Sequence, residues 1–251
     1  MRLICYIKRK IRNAIIKFKR FLFKKEIEKS KDLLVQFKNK NEGKRCFIIG
    51  NGPSLTVSDL EKLKGETTFA SHGIFYIYDK TDWRPTFYCA QDAKLISEKY
   101  DVIKNFCSES INFFGVVSYI ENYPKFTKDA LLVNLIVEEF EDNYPKFSED
   151  LSIGAYEGLT VTYFNIQLAI YMGFKEIYLL GVDHFYSGDG NDHFSPKDIC
   201  TNVPQTDKTT FSYMKAKQYA KSHGIKIINV TRGGHLEVFE RENFDDLISG
   251  K

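Results

Sequence analysis

The stretch from Phe47 to Leu55, Phe-Ile-Ile-Gly-Asn-Gly-Pro-Ser-Leu, constrains the fold of this chain more than any other feature. A short apolar run, typical of a buried strand, leads directly into a turn of small residues. Gly52 permits close backbone approach, Pro53 suits the first turn of a helix, and Ser54 can cap one. The pattern predicts a strand, a turn with bare backbone N–H groups and a helix N-terminus, which together suit a phosphate.

This turn differs from the fingerprint of NAD-binding proteins. Gly50, Asn51 and Gly52 open it, but Leu55 stands where the third glycine of G-x-G-x-x-G belongs. The acidic residue that binds a ribose about twenty residues later is also missing, and His72 stands nearby instead. A standard NAD site is therefore excluded, and a plain tight turn remains an alternative to a phosphate site.

From Lys44 onward, short apolar runs alternate with helical patterns. The predicted strands are Cys46–Ile49, Thr68–Ser71, Thr86–Ala90, Ile111–Phe114, Glu176–Leu180 and Lys226–Asn229. The predicted helices are Ser54–Lys64, Gly158–Met172, Thr209–Ser222 and Glu240–Ile248. The alternation indicates an α/β fold, a single Rossmann-like domain with a mostly parallel sheet over residues 44–251.

Charge is distributed unevenly along the 251 residues. The first 40 residues hold 14 Lys and Arg against three Asp and Glu, whereas the other 211 hold 22 against 30. A basic arm on a mildly acidic body favours an anionic surface as the partner of the arm, and it argues against nucleic acid as a partner of the body.

Apolar residues of the arm recur at helical spacing, with basic residues over most of the rest. The stripe is Ile4, Ile7, Ile11, Ile15, Phe18 and Leu22. Such a basic amphipathic arm over residues 1–40 is typical of in-plane binding to an anionic membrane, and we expect residues 1–25 to make that contact. The alternative is packing on its own domain or on a second subunit. The apolar runs are too short to span a bilayer, and Lys8-Arg9-Lys10 interrupts any secretory signal.

The five cysteines are widely spaced and form no Cys-x-x-Cys pair. They are Cys5, Cys46, Cys89, Cys107 and Cys200. This pattern argues against a disulfide framework or a zinc site and favours a reducing, cytoplasmic compartment, with the thiols buried as small apolar groups.

A second polar cluster follows the predicted strand Glu176–Leu180. Gly181 ends that strand, and Asp183, His184 and Tyr186 come directly after it. Ligands of open α/β sheets bind at the carboxyl ends of the strands, so we expect these side chains to line a site.

The loop after this cluster carries the best candidate for a general base. Its sequence, Ser187-Gly188-Asp189-Gly190-Asn191-Asp192-His193, lacks the calcium-loop pattern, so we expect no metal. Imidazole is a common general base for a hydroxyl proton, so His193 is the candidate, with His184 and His72 as the other candidates. A histidine that merely stabilises a turn is the alternative.

Taken together and in this order, these motifs resemble a known group of proteins. Ile-Ile-Gly-Asn-Gly-Pro-Ser-Leu and the segment 173–186, Gly-Phe-Lys-Glu-Ile-Tyr-Leu-Leu-Gly-Val-Asp-His-Phe-Tyr, are similar to the bacterial single-domain sialyltransferases. They also resemble the broader family that contains the motility accessory factor glycosyltransferases and the archaeal 6-hydroxymethylpterin diphosphokinases. The resemblance covers roughly residues 44–248.

The resemblance implies a modified Rossmann, GT-A-like domain that binds a CMP-activated sugar without a metal or other cofactor. Asn51 would then face the nucleotide phosphate or ribose, and Tyr178 and Tyr186 would offer hydroxyls to the leaving phosphate. The remaining implied nucleotide contacts are His72, Gln91, Asp92 and Gly158. His193 is the nearest equivalent of the sialyltransferase base.

We therefore expect a glycosyltransferase that adds a sugar to a surface glycan, such as lipopolysaccharide or capsule, at the inner face of the plasma membrane. An ATP-dependent pterin diphosphokinase is the second hypothesis, and a non-catalytic nucleotide-binding domain held at a membrane is the third.

Overall fold

The computed structural model describes residues 10–11, 14–15, 18, 21, 24–116, 129–137, 145–186, 192–195, 197 and 206–250. Cys5, Cys200, the stripe residues Ile4, Ile7 and Leu22, and loop residues 187–191 lie outside this part of the chain. Ile11, Ile15 and Phe18 of the arm are helical and exposed. Within the described residues, no helix is long and apolar enough to cross a bilayer.

Strands and helices alternate through the body. In chain order they are α1 (Lys24–Val35), β1 (Arg45–Ile49), α2 (Val57–Lys62), β2 (Thr68–Ser71), a 3₁₀ helix (His72–Ile77), β3 (Phe87–Ala90), α3 (Ala93–Phe106), β4 (Ile111–Val116), β5 (Leu131–Ile136), β6 (Ala155–Tyr156), α4 (Val161–Tyr171), β7 (Glu176–Leu180), α5 (Thr206–Ser222), β8 (Lys226–Asn229), β9 (Glu240–Arg241) and α6 (Phe244–Ser249).

The described strands form one sheet in the order β6-β5-β4-β3-β2-β1-β7-β8-β9, and every pair is parallel. The chain builds outward from β1 to β6 and then returns to β7 on the other side of β1. The order therefore reverses between β1 and β7, which is the point where open α/β sheets bind ligands. The predicted α/β class with a mostly parallel sheet is confirmed.

Both faces of the sheet are covered, because successive side chains of a strand point to opposite faces. In β1, Cys46 and Ile48 belong to one core with α4, whereas Phe47 and Ile49 belong to the other. Helix α4 is buried along nearly its whole length, as its apolar sequence predicts. Cys46, Cys89 and Cys107 are free, buried thiols whose pKa burial raises, which agrees with their interpretation as small apolar residues.

The four predicted helix starts are wrong by three or four residues, with α4 beginning at Val161 rather than Gly158 and α5 at Thr206 rather than Thr209. The first helix begins at Val57 rather than Ser54, because Thr56 is its N-cap and accepts a hydrogen bond from the Asp59 N–H at 3.2 Å. The last begins at Phe244 rather than Glu240, because the segment Glu240–Arg241 pairs with β8.

Several elements were not predicted from the sequence, namely the strands β5, β6 and β9, the 3₁₀ helix and the helix α3. A signal for α3 was present, since Ile96, Tyr100 and Ile103 recur at spacings of four and three and are the buried positions of that helix. Its N-cap Asp92 completes the pattern.

Candidate active site at the strand-order reversal

Two glycine turns meet at the carboxyl ends of β1 and β7. The Gly50 N–H donates to the Leu180 carbonyl at 2.8 Å, and the Gly52 N–H donates to the Gly181 carbonyl at 2.9 Å. A Cβ on Gly50 would overlap the Gly181 carbonyl, and one on Gly52 would overlap the Asp183 carboxylate. These glycines are therefore needed so that the two turns can pack against each other.

This packing changes the interpretation of the first turn. Since both glycine N–H groups already donate to backbone carbonyls, the prediction that they are bare is wrong. The turn is also separated from α2 by the residues up to Thr56, so Pro53 and Ser54 do not begin the helix. A phosphate held by a helix N-terminus directly after this turn is not what the geometry provides.

Ser54 instead holds the carboxylate of Asp183. Its hydroxyl donates to Asp183 Oδ2 at 2.7 Å, across 129 positions of sequence. Asp183 is 8% exposed, and this burial raises the pKa of its carboxyl, while the Ser54 hydroxyl and backbone N–H oppose that rise. The predicted site residues Gly50, Gly52, Ser54 and Asp183 thus form one cluster.

Asn51 and His72 connect this cluster to the ends of β2 and β3. The Asn51 side-chain amide donates to the Ser71 carbonyl at 3.0 Å. His72 has a left-handed backbone, with φ at +49°, and its Nε2 accepts from the Gln91 N–H at 3.4 Å. The Gln91 side chain in turn donates to the Glu157 carbonyl at 3.3 Å.

His193 reaches the same place from the loop between β7 and α5. Its neighbour Phe194 donates its backbone N–H to the Asn51 carbonyl at 2.9 Å, which holds the segment 192–195 against the glycine turn. The ring centroids of Tyr186 and His193 lie 6.4 Å apart, and the ring planes meet at 74°. The structure therefore brings His193 and Tyr186 to the cluster around Asn51.

Three predicted site residues have other roles in the structure. The Tyr178 hydroxyl donates to Glu176 at 3.1 Å, toward the amino end of β7 and away from the cluster. Gly158 packs on the Tyr163 ring, which a Cβ would overlap. Asp92 caps α3 by accepting the Leu95 N–H at 2.9 Å.

His184 lies next to the cluster but turns away from it. Its φ is +54°, and its Nε2 lies 2.8 Å from the hydroxyl of Thr210 on α5. Burial, reinforced by the neighbouring His235, lowers the pKa of His184 and keeps its ring neutral.

Two polar residues that hydrogen-bond to the backbone or side chains next to the cluster were not predicted from the sequence. Asn165 of α4 is fully buried and donates to the Ser71 hydroxyl at 2.8 Å. Thr231, just after β8, accepts the Val182 N–H at 3.1 Å. An amide in an otherwise apolar helix was a usable signal for Asn165, because a buried polar group needs a partner. Among the described residues, no group of three or more His, Cys, Asp or Glu could hold a metal ion.

The sequence matches the family described as 6-hydroxymethylpterin diphosphokinase MptE-like over residues 20–189. The chain belongs to this family. The suspected relationship is thus confirmed for the broader family, and the match includes both the glycine turn and the end of β7. Among curated proteins, no sequence matches the chain.

Solved structures of similar architecture include the MAf glycosyltransferase from Magnetospirillum magneticum AMB-1. Its TM-score is 0.55 at 15% identity, with 88% of this chain and 38% of that chain covered. The sialyltransferase CstII from Campylobacter jejuni, solved with cytidine-5'-monophosphate, gives a TM-score of 0.48 at 19% identity over 78% of this chain and 84% of that one. At 15% identity the likeness to the MAf glycosyltransferase concerns the fold alone. This MptE-like chain spans well under half the length of the MAf glycosyltransferase.

Replacing Gly52 with Ala should destabilise the protein by about 2 kcal/mol, because the new methyl group overlaps the Asp183 carboxylate and lies 2.8 Å from the Gly181 carbonyl oxygen. The matched control is Gly65→Ala, where φ is +92° but no atom lies within 4 Å of the added Cβ. That change should cost about 1 kcal/mol of backbone strain. Urea unfolding of both variants measures the difference, and equal losses would contradict the packing of the two turns.

Proposed function

We propose that the protein is a glycosyltransferase that moves a sugar from a nucleotide donor to a hydroxyl of a surface-glycan acceptor. The observation that carries the proposal is the meeting of Asn51, Asp183 and His193 at the reversal of strand order. That position is where a nucleotide would bind in such a sheet, and it also holds a candidate base. The relatives of similar fold that are named glycosyltransferases agree with this function.

In the proposed reaction, His193 accepts the proton of the acceptor hydroxyl as its oxygen attacks the anomeric carbon. The bond between that carbon and the donor phosphate breaks, and the nucleotide leaves with the electron pair. Tyr186 is the tyrosine that we assign to the leaving phosphate, because its ring lies beside His193. Tyr178 is left out, since its hydroxyl bonds to Glu176. We propose that no metal takes part.

His193 is preferred to the other two histidines for geometric reasons. The Nε2 of His72 already accepts the Gln91 N–H, and the Nε2 of His184 is bonded to Thr210 on α5. His193 directly precedes Phe194, whose backbone N–H donates to the Asn51 carbonyl, and so lies at the glycine turn.

His193→Ala should lower sugar transfer by about 10²–10⁴-fold, the usual contribution of a general base, while nucleotide affinity stays the same. The control is His223→Ala, which removes an exposed ring stacked on Tyr219 at the end of α5. Single-turnover transfer and calorimetric nucleotide binding give the two readouts. Unchanged transfer in the His193 variant would overturn the assignment of the base.

The donor that we propose is a CMP-linked acidic sugar, after the resemblance of two motifs to the sialyltransferases. Membership of the MptE-like family favours a second candidate, a diphosphokinase that uses ATP with Mg²⁺. A third candidate is a nucleotide-binding domain without catalytic activity.

A thermal-shift screen separates these candidates. Stabilisation by CMP in the presence of a chelator is the expected result, since ligand binding to the folded state raises its stability. Stabilisation by ATP only with Mg²⁺ would favour the diphosphokinase instead. Nucleotide binding without consumption of any donor would favour the non-catalytic domain.

We further propose that the basic arm, residues 1–40, holds the enzyme at the inner face of the plasma membrane, near a lipid-linked acceptor. Exposed apolar side chains at Ile11, Ile15 and Phe18 and the excess of Lys and Arg suit an anionic bilayer.

Vesicle sedimentation tests this proposal. The full chain should bind vesicles with 30% phosphatidylglycerol, chosen as an anionic surface of roughly bacterial composition, and not pure phosphatidylcholine. The variant Ile15→Ser/Phe18→Ser should bind several-fold more weakly because it loses apolar area. Ile153→Ser, an exposed apolar position in the body, is the control. Equal binding by both variants would contradict the role of the arm.

A further inference from the structure

A cavity lies beside the glycine-turn cluster, on the far side of His184. It runs between α5 and the segment 235–238 and has a volume of about 520 Å³. This is within the usual range for ligand sites of roughly 300–1,000 Å³. Its walls include Met214 and Lys217 of α5 and Leu236 of the facing segment. We call this cavity the α5 groove.

The two histidines of the α5 groove connect it to the cluster. Asp183 and His184 are consecutive, yet the first contacts Ser54 in the cluster and the second contacts Thr210 in the groove. The left-handed backbone of His184 produces this reversal. On the opposite wall, the His235 N–H donates to the Asp183 carbonyl at 2.7 Å. Asp183 and His184 thus form the wall that the two sites share.

The protonation of His184 follows from its contact with Thr210. The Thr210 hydroxyl has one proton, which it donates to the Thr206 carbonyl at 2.9 Å. The same hydroxyl must then accept from His184, so Nε2 carries the proton and Nδ1 of the neutral ring is the acceptor. The contact with Thr210 thus fixes Nε2 as the protonated nitrogen of the ring in the wall of the groove.

The rim of the α5 groove is cationic. Lys217 is held across it by a bond to the Val238 carbonyl at 2.7 Å, and Lys221 stands one helical turn further with no ion pair among the described residues. The acidic residue of the lining, Glu237, is paired with Arg241 at 3.2 Å. Within the described residues, these two lysine charges have no compensating carboxylate, and they lie beside the exposed apolar side chain of Met214.

We propose that the α5 groove binds the acceptor of the transfer reaction through an anionic group, a carboxylate or a phosphate carried by a saccharide. Lys217 and Lys221 hold the anion, and the exposed side chain of Met214 contacts the face of the sugar ring. The acceptor then approaches the donor across the wall formed by Asp183 and His184. This assignment rests on the proposed function, and it adds the class of acceptor.

The test is binding of three probes to the full chain, read from the imidazole NMR signals of His184 and His235. Galacturonate carries a carboxylate, galactose 6-phosphate carries a phosphate, and galactose is the neutral match. We expect at least one anionic probe to shift both signals and to bind at least tenfold more tightly than galactose. The better of the two identifies the anion.

The variant Lys217→Gln/Lys221→Gln should weaken that binding at least tenfold and leave CMP affinity unchanged. Lys221→Gln alone, which removes no contact within the described residues, keeps the test valid if loss of the Lys217 bond disturbs the fold. Lys208→Gln, an exposed lysine of α5 outside the groove, is the control and should bind as the unaltered protein does.

Anionic probes that bind no better than galactose, or equally well to the double variant, would overturn the assignment of the groove. Its failure is distinct from failure of the proposed function. If the protein binds CMP and transfers sugar but binds no anion, only the assignment of the groove is wrong. If it binds the anion but transfers no sugar, the groove is an anion site and the proposed glycosyltransferase function is wrong.

Discussion

The contact between the two glycine turns is the constraint on which the rest of the site depends. β1 and β7 are parallel neighbours, so both strands end at the same edge of the sheet. The turns that follow them must therefore share the same space. Without a Cβ, Gly50 and Gly52 let one turn rest directly on the carbonyls of the other. The two backbone hydrogen bonds that result occupy the N–H groups of Gly50 and Gly52. The same packing brings the Ser54 hydroxyl to the Asp183 carboxylate.

Asp183 is the residue through which this contact acts on the surrounding elements. Its carboxylate is held by Ser54, and its carbonyl accepts the N–H of His235. A Cβ on Gly234 would lie 2.8 Å from its Cα. The loops after β1, β7 and β8 are thereby joined around one buried acid. The next residue, His184, has a left-handed backbone, and its side chain lies in the α5 groove. Two adjacent residues therefore face two sites of different character. The proposed donor cleft is lined by amide, hydroxyl and carboxylate groups, whereas the proposed acceptor groove is apolar with a cationic rim.

Much of this arrangement could be predicted from the sequence. The strands at Cys46–Ile49, Thr68–Ser71, Glu176–Leu180 and Lys226–Asn229 agree with the structure to within a residue, because short apolar runs before glycine or polar residues are a strong local signal. The grouping of Asn51, Asp183 and His193 follows from the rule that parallel strands present their carboxyl ends at one edge. Tyr178 illustrates where such reasoning stops. Alternation along a strand assigns its ring to one face of the sheet, but not the end toward which its hydroxyl points.

The sequence by itself determined the α/β class, the glycine turn and the polar residues at the ends of β1 and β7, because these depend on local patterns. Only the tertiary structure decided which contacts those residues make. The N–H groups of Gly50 and Gly52 donate to the carbonyls of Leu180 and Gly181 at the end of a distant strand. The Ser54 hydroxyl holds a carboxylate rather than a helix end. The α5 groove likewise exists only because α5 and the segment after β8 pack beside each other. Contacts between distant segments depend on sheet order, and no local pattern specifies that β7 pairs with β1.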